Sequence, residues 1–286
     1  MAYSCFVGTL VSLWGLIVQI ENKLVVVTGA GSGIGRALAC RFADAGARRI
    51  VCTDLDLDSA YETKTLIGTK ATAERLDVAD QTAIEKLVRR TEAEDGGVDI
   101  FVSNAGYALG GGLDVPTEKW QQMMQVHTWA HLNAARAVIP GMIERGGGYL
   151  LNTASAAGLL TQLDSAPYAV SKHAAVALAE WLAITYKDRG IGVSVLCPQA
   201  VRTNILGKRA SSDGKGKTSS NQAATDGVLE PEKVADDCLQ AIIDEKFFVL
   251  PHEEVAKYFA NKASDPERWL NGMRRFKERL RQAAKR

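Results

Sequence analysis

The run Leu24-Val25-Val26-Val27 leads directly into Thr28-Gly29-Ala30-Gly31-Ser32-Gly33-Ile34-Gly35 and restricts the fold more tightly than any other stretch of the chain. Consecutive aliphatic residues suit a strand buried on both faces, as in a parallel sheet. The next residues, Arg36 to Ala43, have helical composition and an apolar stripe. The glycines therefore fall on a strand-to-helix turn. Glycine removes the side chain that would keep a phosphate from the backbone, and the helix N-terminus offers amides to an anion. Gly29, Ser32, Gly33, Ile34 and Gly35 are candidate phosphate-binding residues, against the plainer reading of an ordinary glycine-rich turn.

A second apolar run, Arg49 to Thr53, ends at Asp54. That is about 20 residues beyond the glycines, where a dinucleotide site needs an acid. A carboxylate there accepts hydrogen bonds from both ribose hydroxyls and repels a 2′-phosphate, which favours NAD over NADP. Arg36, Arg48 and Arg49 could tolerate the phosphate, whereas Asp56 and Asp58 return the local balance to acid.

Strand and helix signals alternate along the chain, which predicts βαβ units with right-handed crossovers. The expected strands are 24–28, 49–53, 72–76, 98–103, 147–152, 191–197 and 246–250; the expected helices include 34–46, 57–66, 80–94, 117–144, 166–189 and 231–244. This is an α/β fold, a doubly wound parallel sheet of Rossmann type in one domain. Late in it, Tyr168 and Lys172 stand four residues apart, and Ser155 precedes the tyrosine by thirteen. On a helix this spacing shares one face, so the ammonium can favour the phenolate and bring the tyrosine toward acid/base work.

With these residues in place, the chain resembles the classical short-chain dehydrogenases/reductases over about 22–205, and more loosely from Leu229 to Val255. The resemblance rests on Thr28-Gly29-x-x-x-Gly33-x-Gly35, Asp77-Val78, Asn104-Ala105-Gly106, Ser155 and Tyr168-x-x-x-Lys172. It implies hydride exchange between a nicotinamide cofactor and a secondary alcohol or ketone. Tyr168 would move the hydroxyl proton, Lys172 would hold the nicotinamide ribose, and Ser155 would orient the substrate oxygen. Asp77 and Val78 would flank the adenine, Asn104-Ala105-Gly106 would close the cofactor side, and Val201 and Thr203 would reach the nicotinamide end. Two positions depart from the family pattern. Gln199 stands where a glycine is common, and His127 stands in place of a catalytic asparagine. His127 could leave the relay to its main-chain carbonyl, join it through its imidazole, or serve only as a packed helix histidine.

The resemblance also implies a homodimer or homotetramer, with the long helices 117–144 and 166–189 as the packing pair. Leu159, Leu160 and Leu163 beside the site suggest a partly apolar or aromatic substrate. An NADP-preferring carbonyl reductase and a low-turnover dinucleotide-binding sensor or scaffold are the competing readings.

A net charge of +1 gives no sign of nucleic-acid binding, and 47% hydrophobic composition over 286 residues suffices for one large core. The scattered Cys5, Cys40, Cys52, Cys197 and Cys238 point to a reducing compartment, and no metal set accompanies His127 and His131. A cytoplasmic protein is expected, with membrane association open at either end.

The expected organisation is an apolar extension over 1–20, the dehydrogenase domain over 21–255 and a basic amphipathic tail over 256–286. Within the domain, the polar stretch about 204–228 is read as a substrate lid, as long loops are often functional. In the tail, Trp269, Met273, Phe276 and Leu280 fall on one helical face among arginines and lysines, suited to docking on protein or on an anionic membrane.

Overall fold

The computed structural model describes residues 19–203 and 224–284. The first half runs β1 (Leu24–Thr28), α1 (Gly33–Asp44), β2 (Arg49–Asp54), α2 (Leu57–Ile67), β3 (Ala71–Arg75), α3 (Gln81–Asp95) and β4 (Ile100–Ser103). Then come α4 (Thr117–Met124), α5 (Ala130–Glu144), β5 (Gly148–Thr153), α6 (Ala157–Leu160), α7 (Ala166–Tyr186) and β6 (Ile191–Leu196). The chain finishes with α8 (Pro231–Ile243), β7 (Phe248–Val249), α9 (Glu254–Ser264) and α10 (Pro266–Ala284).

The seven strands are ordered β3-β2-β1-β4-β5-β6-β7, and each pairs its neighbours in parallel. Successive residues of β1 serve opposite faces, as strand geometry requires. Leu24 and Val26 join the core beneath α3, α5 and α7, while Val25 and Val27 join the one beneath α1 and α8. Both faces are covered, which is why the strand reads as an unbroken apolar run. Each such side chain contributes roughly 1.5–3 kcal/mol on burial. The winding direction reverses between β1 and β4, and the crevice at their carboxyl ends is where such sheets place ligands. Local signals fix the flanking helices. Asp56 caps α2 by accepting from the Asp58 amide, Asp80 caps α3 through the Ala83 amide, and α3 ends on left-handed Gly96.

Several expected elements differ in detail. The helix expected over 117–144 is interrupted by a π-helical turn, Gln125–Trp129, in which the Ala130 amide reaches back to Gln125 O. Its cause is packing on α7, where Thr128 Oγ1 donates to Ser171 O (3.1 Å) and His127 meets the Ser171 hydroxyl. The helix expected over 166–189 closes with a tight 3-10 turn, Lys187–Arg189, before left-handed Gly190. The strand expected over 246–250 shrinks to Phe248–Val249. The tail forms two helices, because Asp265 precedes Pro266 and is held extended (φ −150°). The short helix α6 has too few residues to leave a periodic signal.

Residues 1–18, most of the expected apolar extension, lie outside the described residues, as do 204–223 of the expected lid. Ile20, assigned to that extension, is instead buried in the α1-side core. Among the described residues no helix is long and apolar enough to cross a membrane. Cys52, Cys197 and Cys238 are buried and Cys40 is half-buried, all as free thiols.

Candidate active site

The glycine turn is shaped by what presses on it. Gly29 is left-handed (φ +64°), and a Cβ there would stand 2.8 Å from Ala105 Cα; a Cβ on Gly35 would stand 2.1 Å from Gly29 O. Thr203 closes the other side, 2.7 Å from where a Gly33 Cβ would be. Thr28 Oγ1 accepts from the Asn104 and Ala105 amides (2.9 and 3.1 Å) and donates to Val102 O (3.1 Å), tying the β1 and β4 loops together. Asn104 Nδ2 donates to Thr28 O (3.0 Å), and Asn104 Oδ1 accepts from Thr153 Oγ1 (3.3 Å). Ser32 caps α1 without a side-chain bond, so its hydroxyl does not occupy the first amides of that helix. This is a cradle that fits a pyrophosphate.

Asp54 ends β2 with its carboxylate at the turn, Oδ2 accepting from the Gly31 amide (2.9 Å) and Oδ1 from the Asp56 amide (3.1 Å). The three cations that could neutralise a 2′-phosphate all have partners, and only Arg36 among them reaches the turn. Arg36 holds Thr63, Glu62 and the Gly31 carbonyl. Arg48 meets Asp95 O and Asp99, and Arg49 pairs with Asp95. Val78 is buried beside Asp77, whose Oδ1 caps the Ala79 amide (2.9 Å). Val201 is buried and bridges Leu229, and Thr203 is half-buried against the turn.

Across the crevice, the structure brings Ser155, Tyr168 and Lys172 together. Ser155 follows β5; its hydroxyl accepts from the Ala157 amide (3.1 Å) and donates to Pro198 O (3.4 Å), and it lies close enough to the Tyr168 phenol to favour the phenolate. Lys172 is 3% exposed; Nζ donates to Thr153 O (2.9 Å) and lies 5.8 Å from the Tyr168 ring centroid. Burial pushes the Lys172 ammonium down to about 7, opposed by Cys197. Burial also raises the Tyr168 phenol, and the Ser155 bond pulls it back only in part. The expected lowering of the phenol by the ammonium is not found: desolvation sets the direction, and Ser155 alone pulls against it.

His127 is fully buried at the π turn. Its Nε2 accepts from the Tyr107 amide (3.2 Å), which leaves Nδ1–H to donate to Ser171 Oγ (3.0 Å). Ser171 Oγ in turn donates to Tyr168 O (2.9 Å). Burial and nearby Lys172 hold the imidazole well below its usual range, so it is neutral. One histidine thus ties the loop after β4 to the start of α7. Gly106 permits this, since a Cβ there would stand 3.1 Å from His127 Nε2 and 3.7 Å from Lys172 Nζ.

Sequence reasoning did not single out Tyr107, Thr153 or Ser171. Tyr107 packs on His127 (ring centroids 5.6 Å), and His127 packs edge-on against Tyr168 (5.5 Å). Adjacency to Asn104-Ala105-Gly106 and a place inside Tyr168-x-x-x-Lys172 were the available signals for Tyr107 and Ser171. Gln199 has a clear job: its amide donates to His252 Nδ1 (3.2 Å) and its Nε2 to Asp226 Oδ2 (2.8 Å). Leu159 and Leu160 are buried in the core and only Leu163 is half-buried.

A family model described as short chain dehydrogenase matches residues 23–214. The chain belongs to the short-chain dehydrogenases/reductases. As a member it is an NAD(P)-dependent oxidoreductase of the alcohol–ketone kind. A 1-deoxy-11-beta-hydroxypentalenate dehydrogenase of Streptomyces exfoliatus is 35% identical over 243 residues, covering 82% of this chain and 85% of the relative. A 2-keto-3-deoxy-L-fuconate dehydrogenase of Xanthomonas campestris is 31% identical, covering 80% of this chain and 77% of the relative. Among solved structures, a short-chain dehydrogenase/reductase from Burkholderia phymatum in complex with NAD superposes with a TM-score of 0.78 at 27% identity, covering 87% of this chain and 96% of that one.

Proposed function

We propose that this short-chain dehydrogenase/reductase interconverts a secondary alcohol and its ketone with NAD, and that Ser155, Tyr168 and Lys172 carry the proton chemistry. The observation behind this reading is that the three converge and that Lys172 is tied to the glycine turn through Thr153 and Asn104. In oxidation the substrate hydroxyl gives its proton to the Tyr168 phenolate while Ser155 hydrogen-bonds the same oxygen. Lys172, held by Thr153 O, stabilises the phenolate and offers donors to the nicotinamide ribose. Bound NAD supplies the hydride acceptor. Gly29, Ser32, Gly33, Ile34 and Gly35 would hold the pyrophosphate and Asp54 the adenosine ribose. Asp77 and Val78 would flank the adenine. Asn104, Ala105 and Gly106 would support the nicotinamide half, with Val201 and Thr203 at its carboxamide. His127, neutral and bonded at both nitrogens, acts as a positioning residue between Tyr107 and Tyr168.

NAD is favoured over NADP because the Asp54 carboxylate faces the turn, where it repels a 2′-phosphate, while Arg48 and Arg49 are paired away from it and Arg36, which reaches the Gly31 carbonyl, is paired with Glu62. The pentalenate and fuconate relatives are named as dehydrogenases, which supports oxidation of a hydroxyl on a larger skeleton. A panel of chemically diverse secondary alcohols, followed by NADH absorbance, tests the reading. At least one alcohol should give kcat/KM tenfold or more higher with NAD than with NADP. Equal use of both cofactors would overturn the Asp54 argument, and no turnover of any alcohol or ketone would overturn the reaction.

The assembly proposed is a homodimer through α4, α5 and α7, supported by exposed Trp129 (46%), Trp181 (55%) and Ile184 (77%) on those helices or at their junction. Trp181→Glu with Ile184→Glu should yield a monomer by light scattering after gel filtration. An unchanged mass would contradict that face.

A further inference from the structure

Helix α6 begins two residues after Ser155, and the C-terminal tail lies on it. Lys262 of α9 reaches back 103 residues to place Nζ 2.6 Å from Leu159 O. Leu159 is four residues past Ser155, on the order of 6 Å along a helical turn. Tyr258 and Phe259 of α9 and Trp269 of α10 pack against the core cluster that contains Leu159 and Leu160. Tyr258 Oη also donates to Asp226 Oδ1 (3.1 Å), and Lys277 of α10 pairs with Asp164 (3.8 Å).

The loop that the tail holds is strained. Thr161 is left-handed (φ +72°) although β-branched, and Asp164 is left-handed as well (φ +55°). Such conformations cost of order 1–3 kcal/mol each and persist where the surroundings enforce them. The Gly111 amide grips Asp164 O (2.8 Å) and Ser165 Oγ donates to Leu109 O (2.6 Å), so this wall is fixed on both sides.

Lys262 is a charged group in that wall whose charge no ion pair answers among the described residues. Its ammonium has three N–H donors, one of which meets Leu159 O. Among the described residues no carboxylate lies within ion-pair distance of it, and burial lowers its pKa with no charged neighbour opposing the shift. A half-buried ammonium with spare donors, beside the turn that carries the catalytic serine, is suited to a charge-assisted bond with an anion.

We propose that Lys262 recognises a carboxylate carried by the substrate, so that the substrate class is a secondary alcohol bearing an acid group. This rests on alcohol oxidation at Ser155 and Tyr168. The test uses 4-(1-hydroxyethyl)benzoate and its neutral counterpart 1-(4-methylphenyl)ethanol, with wild type, Lys262→Met and Lys262→Arg. Calorimetry on the NAD-loaded protein gives Kd, and NADH formation gives kcat/KM. In Lys262→Met both should worsen at least tenfold for the benzoate and stay within twofold for the neutral alcohol; Lys262→Arg should recover most of the loss. Equal losses on both compounds, no loss on either, or a wild type that binds the benzoate no better than the neutral alcohol would each overturn the proposal. Lys262-dependent benzoate binding without turnover would uphold this site while refuting alcohol oxidation.

Discussion

The two ends of the crevice are built differently. The cofactor end is nearly all main chain: a glycine turn, the N-terminus of α1, and a carboxylate at the end of β2, drawn mostly from one βαβ stretch and closed by the β4 loop. The substrate end is assembled from side chains far apart in sequence, with α6 held by α9 and the Asp164 loop by α10. The first tolerates no added atom, which suits the fixed pyrophosphate proposed for it. The second is proposed to hold the variable substrate, and its lining can change without disturbing the sheet.

The contrast can be broken most severely at Gly35. Gly35→Val would drive a side chain into Gly29 O and Asn104 Nδ2. NADH binding, followed by fluorescence titration, should be lost altogether, even in any fraction that folds; retained affinity would show that the turn is not the pyrophosphate cradle. Asp54→Ala is milder. It removes a charged acceptor, worth about 1.5–3 kcal/mol, so NAD affinity should fall about ten- to a hundredfold while NADP affinity holds or improves. A parallel fall for both cofactors would place Asp54 in turn stability alone. The smallest effect belongs to the other end: Lys262→Met should leave NADH affinity within twofold, and a larger change would mean that the two ends are not separable.

This difference also explains what the sequence made legible. The strands, their parallel sheet and the glycine turn follow from local pattern, since apolar runs and glycine constraints act within a few residues. Ser155, Tyr168 and Lys172 were legible because their spacing is set by one turn and one helix. The π turn at His127 was not: Gln125 to Trp129 have ordinary helical composition, and Ser171 on another helix decides how their bonds close. The direction of the Tyr168 shift was missed for the same reason. Spacing shows a neighbouring ammonium, but burial depends on the whole wall. Lys262 carries no sequence signal, because its bond to Leu159 O depends on how α9 packs against α6.

In the proposed mechanism Tyr168 is the acid/base of an NAD-linked alcohol oxidation. Tyr168→Phe keeps the ring that packs on His127 and removes only the hydroxyl. Loss of a general acid/base should lower kcat about 10²–10⁴-fold, while NADH Kd by fluorescence titration stays within about twofold. Because burial raises the phenol, wild-type kcat/KM for oxidation should climb as pH rises and more phenolate forms, and the variant should lose that slope. Wild-type turnover in Tyr168→Phe, with the pH slope intact, would contradict the mechanism.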